Sequence, residues 1–191
     1  MIFSLRKRTF DILLVLMIIV VIFIPMIITS LLILLNSGRP IFHFSKRVGK
    51  KNKFFYMPKF RTMIIDTPDV ESNKIKNPEK YITSLGKFLR RHSIDEIPQL
   101  WSILIGQMSF VGPRPALYSQ EDLINRRKEE DLDLLTPGLT GWAQINGRDD
   151  IDIEKKVLMD EYYLNNKSLM LDLKIIFKTI FKVFKAEGIS K

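Results

Sequence analysis

From Ile12 to Leu35 the chain runs for 24 residues without a charge, and 19 of them are Leu, Ile, Val or Phe. At about 1.5 Å of rise per residue, a helix over this stretch covers roughly 36 Å, enough to cross a bilayer core. Taking roughly 0.4 kcal/mol for each apolar side chain, insertion is favoured by on the order of 8 kcal/mol, against the roughly 3 kcal/mol that one interior proline costs. The run is too long for a signal peptide and no small-residue cleavage site follows it, so it is expected to remain as an anchor. Pro25, in its middle, removes the donor to the Val21 carbonyl and predicts a kink, with Thr29 and Ser30 placed to satisfy freed backbone groups. Basic residues stand on both sides, Arg6, Lys7 and Arg8 before the run and Arg39, Lys46, Arg47, Lys50, Lys51 and Lys53 after it. The positive-inside rule then predicts a re-entrant helix, broken at Pro25, that enters and leaves the same leaflet.

Past residue 38 the pattern changes. Ile41 to Arg47 and Phe54 to Phe60 are apolar and aromatic runs separated by Gly49, Lys50, Lys51 and Asn52, which predicts a β-hairpin. Pro68 to Pro78 is polar and reads as a loop. Helical spacing marks Tyr81 to Arg91, Ile97 to Leu104, Glu121 to Glu130 as an exposed helix, and Ile153 to Tyr163, while Pro137 to Arg148 reads as a Gly-rich loop. In Leu169 to Lys185, Lys174, Lys178, Lys182 and Lys185 form a basic stripe opposite Leu169, Ile176, Ile180 and Val183, which predicts an amphipathic helix on anionic headgroups. The expected architecture is an α-rich α+β membrane-associated domain, with the anchor over 1–38 and a cytoplasmic catalytic domain over 39–191.

Composition narrows the chemistry. The chain has 30 Lys and Arg against 21 Asp and Glu, a net charge of +9 that attracts polyanions: nucleic acid, anionic lipid or phosphorylated substrates. There is no Cys, hence no disulfide, thiol nucleophile or thiolate metal site, and His43 and His92 are the only imidazoles. Carboxylates must carry any acid, base or nucleophile role. Asp95 and Glu96 are adjacent in Ser93-Ile94-Asp95-Glu96-Ile97-Pro98-Gln99-Leu100, where spacing alone leaves two readings. Ser93 with Glu96 fits a capping box, and a helix starting at Asp95 places Pro98 within its first turn; the other reading is a catalytic pair. Lys59, Arg61, Arg90, Arg91 and Arg114 are the candidate phosphate ligands, Arg114 held between Pro113 and Pro115 on a stiff turn.

Taken in order, four stretches resemble the bacterial sugar transferase family, the small monotopic phosphoglycosyl transferases. They are Lys59-Phe60-Arg61-Thr62-Met63, the run from Ser93 to Leu100, Met108-Ser109-Phe110-Val111-Gly112-Pro113-Arg114-Pro115, and Pro137-Gly138-Leu139-Thr140-Gly141-Trp142-Ala143-Gln144-Ile145-Asn146-Gly147-Arg148. The resemblance implies transfer of a sugar phosphate from a UDP-sugar to polyprenyl (undecaprenyl) phosphate, with release of UMP, as the first step of a cell-envelope glycan. It makes Asp95 the nucleophile and Glu96 its dyad partner, with Mg²⁺ at Asp95 and Glu96. It places the enzyme in the bacterial inner membrane with its site on the cytoplasmic face, and is compatible with a homo-oligomer. Three positions depart from the family: Gln107 where Asp is usual, Thr136 where a basic residue is frequent, and Ile24 where many members have Ser before the proline. Two other classes compete, a catalytically inactive membrane scaffold, which loss of the carboxylate pair would favour, and a nucleic-acid binder, which would need aromatics interleaved with basic residues on a soluble surface.

Overall fold

The computed structural model describes residues 2–65, 67, 77–147 and 151–185. Most of the expected Pro68 to Pro78 loop, Arg148, and the Lys185 side chain lie outside the described residues.

Helix α1 spans Ile2–Ser37 with Pro25 inside it, so the expected break does not interrupt the helix as an element. One turn beyond the proline the Ser30 hydroxyl donates to the Met26 carbonyl at 2.8 Å. Much of the helix surface is bare hydrocarbon: Val20 is 80 % exposed, and Val21, Ile24 and Leu35 are also exposed. Water would not tolerate such a surface, which identifies the face that needs lipid. Both ends of α1 are nevertheless tied to the rest of the chain. Near the start, Lys7 pairs with Asp172 at 2.6 Å, Arg8 donates to the carbonyls of Ile103 and Leu104, and Asp11 accepts from the Phe110 amide at 3.2 Å. Near the end, Ile33 packs with Phe60 and Leu89.

Strands β1 (Phe42–Val48) and β2 (Phe54–Phe60) form the predicted antiparallel hairpin, with Phe42 opposite Phe60 and Val48 opposite Phe54. Alternation along β2 sends Phe55 and Met57 into the core and leaves Phe54 and Tyr56 exposed. Helix α2 (Ser84–Arg91) follows, capped by the Thr83 hydroxyl, which accepts from the Gly86 amide at 2.9 Å. A 3-10 turn, Ile94–Gln99, leads into α3 (Leu100–Leu104).

The stretch read as a Gly-rich loop is instead structured. Gly138–Thr140 is a strand, β4, paired in parallel with β3 (Ser109–Val111), and Trp142–Asn146 is a helix, α5. Local pattern could not reveal this, because a three-residue strand takes its hydrogen bonds from a partner distant in sequence. A Cβ on Gly138 would overlap the Gly112 amide, so glycine is required by backbone contact between the two strands. Helices α4 (Glu121–Glu129), α6 (Ile153–Asn166) and α7 (Leu169–Lys185) complete the described body.

The largest core cluster joins Val15 of α1 to Phe55, Met57, Ile103, Met108, Val111, Tyr163 and Ile175, so the anchor and the following domain share one hydrophobic interior. On α7, Asp172, Ile175 and Ile176 turn toward that interior and Lys174 and Lys178 toward solvent. Ile180, with Met170, Leu173, Phe177 and Phe181, forms an exposed apolar strip beside the lysines.

Candidate active site

Asp95 and Glu96 lie on the 3-10 turn between α2 and α3. Ser93 precedes the turn with φ 54°, a left-handed conformation, and makes no capping bond with its side chain, so the capping box does not form. The left-handed residue reverses the chain after α2 and delivers the two carboxylates toward the end of β2.

Glu96 Oε1 accepts from Lys59 Nζ at 2.7 Å and from Arg114 Nη2 at 3.2 Å. Burial alone would push the Glu96 carboxyl up, but the Lys59 ammonium and Arg114 guanidinium outweigh it and hold the group well below the usual carboxylate range. Asp95 is the opposite case. Its side chain is buried, and burial pushes its carboxyl up to about 6; the nearby charges of Lys59, Arg90 and Arg114 lower it, while Glu96 raises it. The neighbours thus divide the work: Glu96 is a neutralised pivot for two cations, and Asp95 is a desolvated carboxylate with charge to spare at neutral pH.

The motif Lys59 to Met63 ties this arrangement to the anchor. Lys59 reaches the site, Phe60 enters the core with Ile33 and Leu89, and Thr62 Oγ1 accepts from Arg90 Nε at 2.9 Å. Arg90 also donates to the Met63 thioether at 3.0 Å, a weak acceptor that leaves the guanidinium capacity for an anion. Burial lowers its pKa and the Asp95 charge raises it, with burial prevailing.

Two of the five expected phosphate ligands are placed elsewhere. Arg61 is buried and donates from Nη2 to the carbonyls of Ser37 at 2.6 Å and Gly38 at 2.7 Å, and to the Ser37 hydroxyl at 2.9 Å. It binds the orphan carbonyls at the end of α1, where the helix dipole also favours a cation. Its Nε and Nη1 are buried without a hydrogen-bond partner. In strand order Arg61 follows Lys59 and reads as its companion, whereas its contacts with the end of α1 give it another task. Arg91 is exposed on α2, and no hydrogen bond among the described residues joins it to Asp95 or Glu96. Thr62 was missed as a site support, although its place inside the Lys59 to Met63 motif was the available signal.

Arg114 stands on a turn whose carbonyls are each held from a different element. Pro113 O accepts from the Gly138 amide at 2.9 Å, Arg114 O from Arg127 Nη1 at 2.8 Å, and Pro115 O from Arg47 Nη1 at 3.3 Å. Gln107 is exposed in the turn after α3, where Arg8 caps the helix, and its amide donates to the Ser102 carbonyl at 2.9 Å.

No group of three or more His, Asp or Glu that could hold a metal ion exists among the described residues. The donor set still suits a hard cation in one respect, since Asp95 offers a carboxylate whose charge is incompletely screened. Mg²⁺ is commonly held by one or two carboxylates, with water and substrate phosphates completing the shell, and Asp95 fits that use better than Glu96, whose Oε1 already takes two cations.

A desolvated carboxylate, three cations around it and a lipid-facing helix sharing its core define a membrane-associated, anion-handling site. The chain belongs to the bacterial sugar transferase family, whose model matches residues 2–186. It is 39 % identical to the uncharacterized sugar transferase EpsL of Bacillus subtilis over 97 % of this chain and 90 % of that protein. It is 36 % identical to the UDP-galactose-lipid carrier transferase of Erwinia amylovora, over 95 % of this chain and 41 % of that protein. To the UDP-glucose:undecaprenyl-phosphate glucose-1-phosphate transferase of Escherichia coli it is 36 % identical, over 94 % of this chain and 40 % of that protein. The chain thus spans about two fifths of the length of two of these relatives and most of the third.

Proposed function

We propose that this protein is a phosphoglycosyl transferase that moves a sugar 1-phosphate from a UDP-sugar to polyprenyl phosphate. The observation that carries the reading is the opposite state of the two adjacent carboxylates. Glu96 is bound by Lys59 and Arg114, whereas Asp95 is buried, close to neutral pH in its titration, and faces the same cations. In the first step an Asp95 oxygen attacks the β-phosphorus, a phosphorus–oxygen bond forms, and the bond to the bridging oxygen breaks to release UMP. In the second, a phosphate oxygen of the lipid attacks the same phosphorus and Asp95 leaves as a carboxylate. Lys59, Arg90 and Arg114 take the phosphate charge, and Glu96 keeps Lys59 and Arg114 in place between steps. Mg²⁺, when bound at Asp95, neutralises diphosphate charge and so lets an anionic nucleophile approach an anionic donor.

The same reading locates the enzyme at the inner membrane with its site on the cytoplasmic face. The two tied ends of α1, its exposed hydrocarbon surface, and the apolar strip with flanking lysines on α7 support a re-entrant anchor that keeps the site at headgroup depth. Cysteine placed at Ser4 or Asn36, both exposed, should resist an outside-added thiol reagent in intact cells; labelling of either would overturn this topology.

The reaction is tested by incubating detergent-purified protein with Mg²⁺, undecaprenyl phosphate and a panel of UDP-sugars. UMP release that depends on Asp95, with a phosphosugar adduct on the Asp95 peptide in the absence of acceptor, is the expected result. Release of UDP would mean plain glycosyl transfer and remove the mechanism. Release of neither nucleotide from any donor would favour the scaffold reading.

A further inference from the structure

Arg127 and Asp160 form a buried ion pair away from the carboxylate turn. Arg127, on α4, donates Nε and Nη2 to Asp160 Oδ2 on α6 at 3.0 and 2.7 Å, and both residues are buried. Ion pairs in such settings are costly to desolvate and seldom improve on apolar packing of the same volume, so their retention calls for a use. The remaining donor shows one. Arg127 Nη1 is 2.8 Å from the carbonyl oxygen of Arg114, the residue whose guanidinium meets Glu96. Because Pro113 and Pro115 flank Arg114, the local chain offers few amides to hold that carbonyl, and a side chain from α4 supplies the donor. Asp160 fixes the plane of the guanidinium through two of its donors and thereby aims the third.

We propose that Arg127 and Asp160 are positioning residues for Arg114: the pair holds the backbone of the Gly112 to Pro115 turn so that the Arg114 guanidinium is preset for the diphosphate of the donor. The proposal rests on the reading above that Arg114 binds that diphosphate. It assigns the pair a task beyond joining α4 to α6, and the two roles make different predictions.

The test is a double-mutant cycle on affinity for UDP, measured by calorimetry on the full chain with Mg²⁺ in detergent, which needs no turnover. The variants are Arg127→Met with Asp160→Leu, an apolar replacement chosen to keep the fold, and Arg114→Ala, alone and combined. The apolar replacement is expected to weaken UDP binding about tenfold in the presence of Arg114 and to have almost no effect once Arg114 is alanine. Equal losses in both backgrounds would overturn the proposal, because the pair would then act on the fold at large, and so would no loss in either. Arg127→Lys, which keeps the pair with Asp160 but lacks the second arm of the fork, is the further check if the apolar variant does not fold; it should show the same dependence on Arg114, and additive behaviour would again overturn the idea. Wild-type protein that binds UDP yet releases no UMP would defeat the proposed reaction while leaving the cycle readable. Failure to bind UDP at all would overturn both.

Discussion

Two regions of this molecule gather arginines and carboxylates, and they are wired in opposite senses. On the outer face of α4, Arg126 is one cation among acids: it donates to Glu154 at 2.9 Å through two nitrogens, to Glu129 at 2.5 Å, and to Glu130 at 3.5 Å. On the turn between α2 and α3, two acids lie among cations and are largely withdrawn from water. By number of hydrogen bonds between charged side chains, the Arg126 cluster is richer than the Glu96 one. It is also the less informative, because solvent screens every member. The turn is distinct because burial raises the cost of charge and its cations meet that cost unevenly, fully for Glu96 and partly for Asp95.

The largest effect should come from removing the under-screened charge. Asp95→Asn is expected to lower UMP release by at least about a thousandfold and to abolish the covalent adduct, since amide nitrogen and oxygen cannot replace the nucleophile. Stability should move the other way. With the folded pKa raised from 3.8 to about 6, the unfolded chain binds fewer protons between those values, so wild-type stability falls as pH rises through that window. A pKa difference of this size between the folded and unfolded chain corresponds to about 3 kcal/mol, and the neutral variant should therefore unfold later than wild type at pH 7 and lose that advantage toward pH 4. Denaturant titrations at several pH values without Mg²⁺ check this; a variant less stable than wild type at pH 7 would contradict the environment assigned to Asp95. Added Mg²⁺ should raise the melting temperature of wild type and leave that of Asp95→Asn nearly unchanged.

A smaller loss is expected from Glu96→Gln, about a hundredfold in turnover, because Lys59 and Arg114 lose their shared anchor while Asp95 remains. The acid limb of the wild-type rate profile sharpens the same contrast: activity should fall as pH drops below about 6, where Asp95 takes up a proton. Glu96, held far below that, should contribute nothing to this limb. Because the Glu96 charge raises the Asp95 carboxyl, a limb that persisted but moved to lower pH in an otherwise active Glu96→Gln enzyme would support the assignment to Asp95.

Arg61→Ala separates a clamp from a ligand. Losing charge-assisted bonds to the end of α1 should cost about 2 kcal/mol of stability, with the KM for the UDP-sugar changed little in protein that remains folded. A rise in KM without a drop in melting temperature would restore Arg61 to the substrate site.

These contrasts follow the line between what local pattern reveals and what it hides. The anchor was legible because 24 uncharged residues admit few fates, the hairpin because its apolar runs flank a Gly-Asn turn, and α7 because its periodicity holds from Leu169 to Lys185. Asp95, Glu96, Lys59 and Arg114 were legible as a set only through the family resemblance; the structure then brought them together. Hidden were features made by distant approach. β4 needs β3, and Arg61 needs the end of α1, more than twenty residues before it. Glu121 to Glu130 read as an exposed helix, yet Arg127 lies four residues after Leu123, and both are buried on one face. That spacing was the signal that one arginine of the adjacent pair turns inward.

Arg126 gives the smallest expected effect. Arg126→Ala removes four of the hydrogen bonds in the surface cluster, and counting bonds would forecast a serious loss. Physical setting forecasts almost none: Glu129 and Glu154 are well exposed, water replaces each bond, and no residue of the carboxylate turn depends on the pair. Melting temperature should change by no more than about 2 °C, and UMP release should match wild type. High salt should erase even that difference, since screening acts on exposed pairs first, while the Asp95 and Glu96 effects should persist in the same buffer. A large loss from Arg126→Ala that salt does not reduce would mean that the α4 surface communicates with the site through more than Arg127.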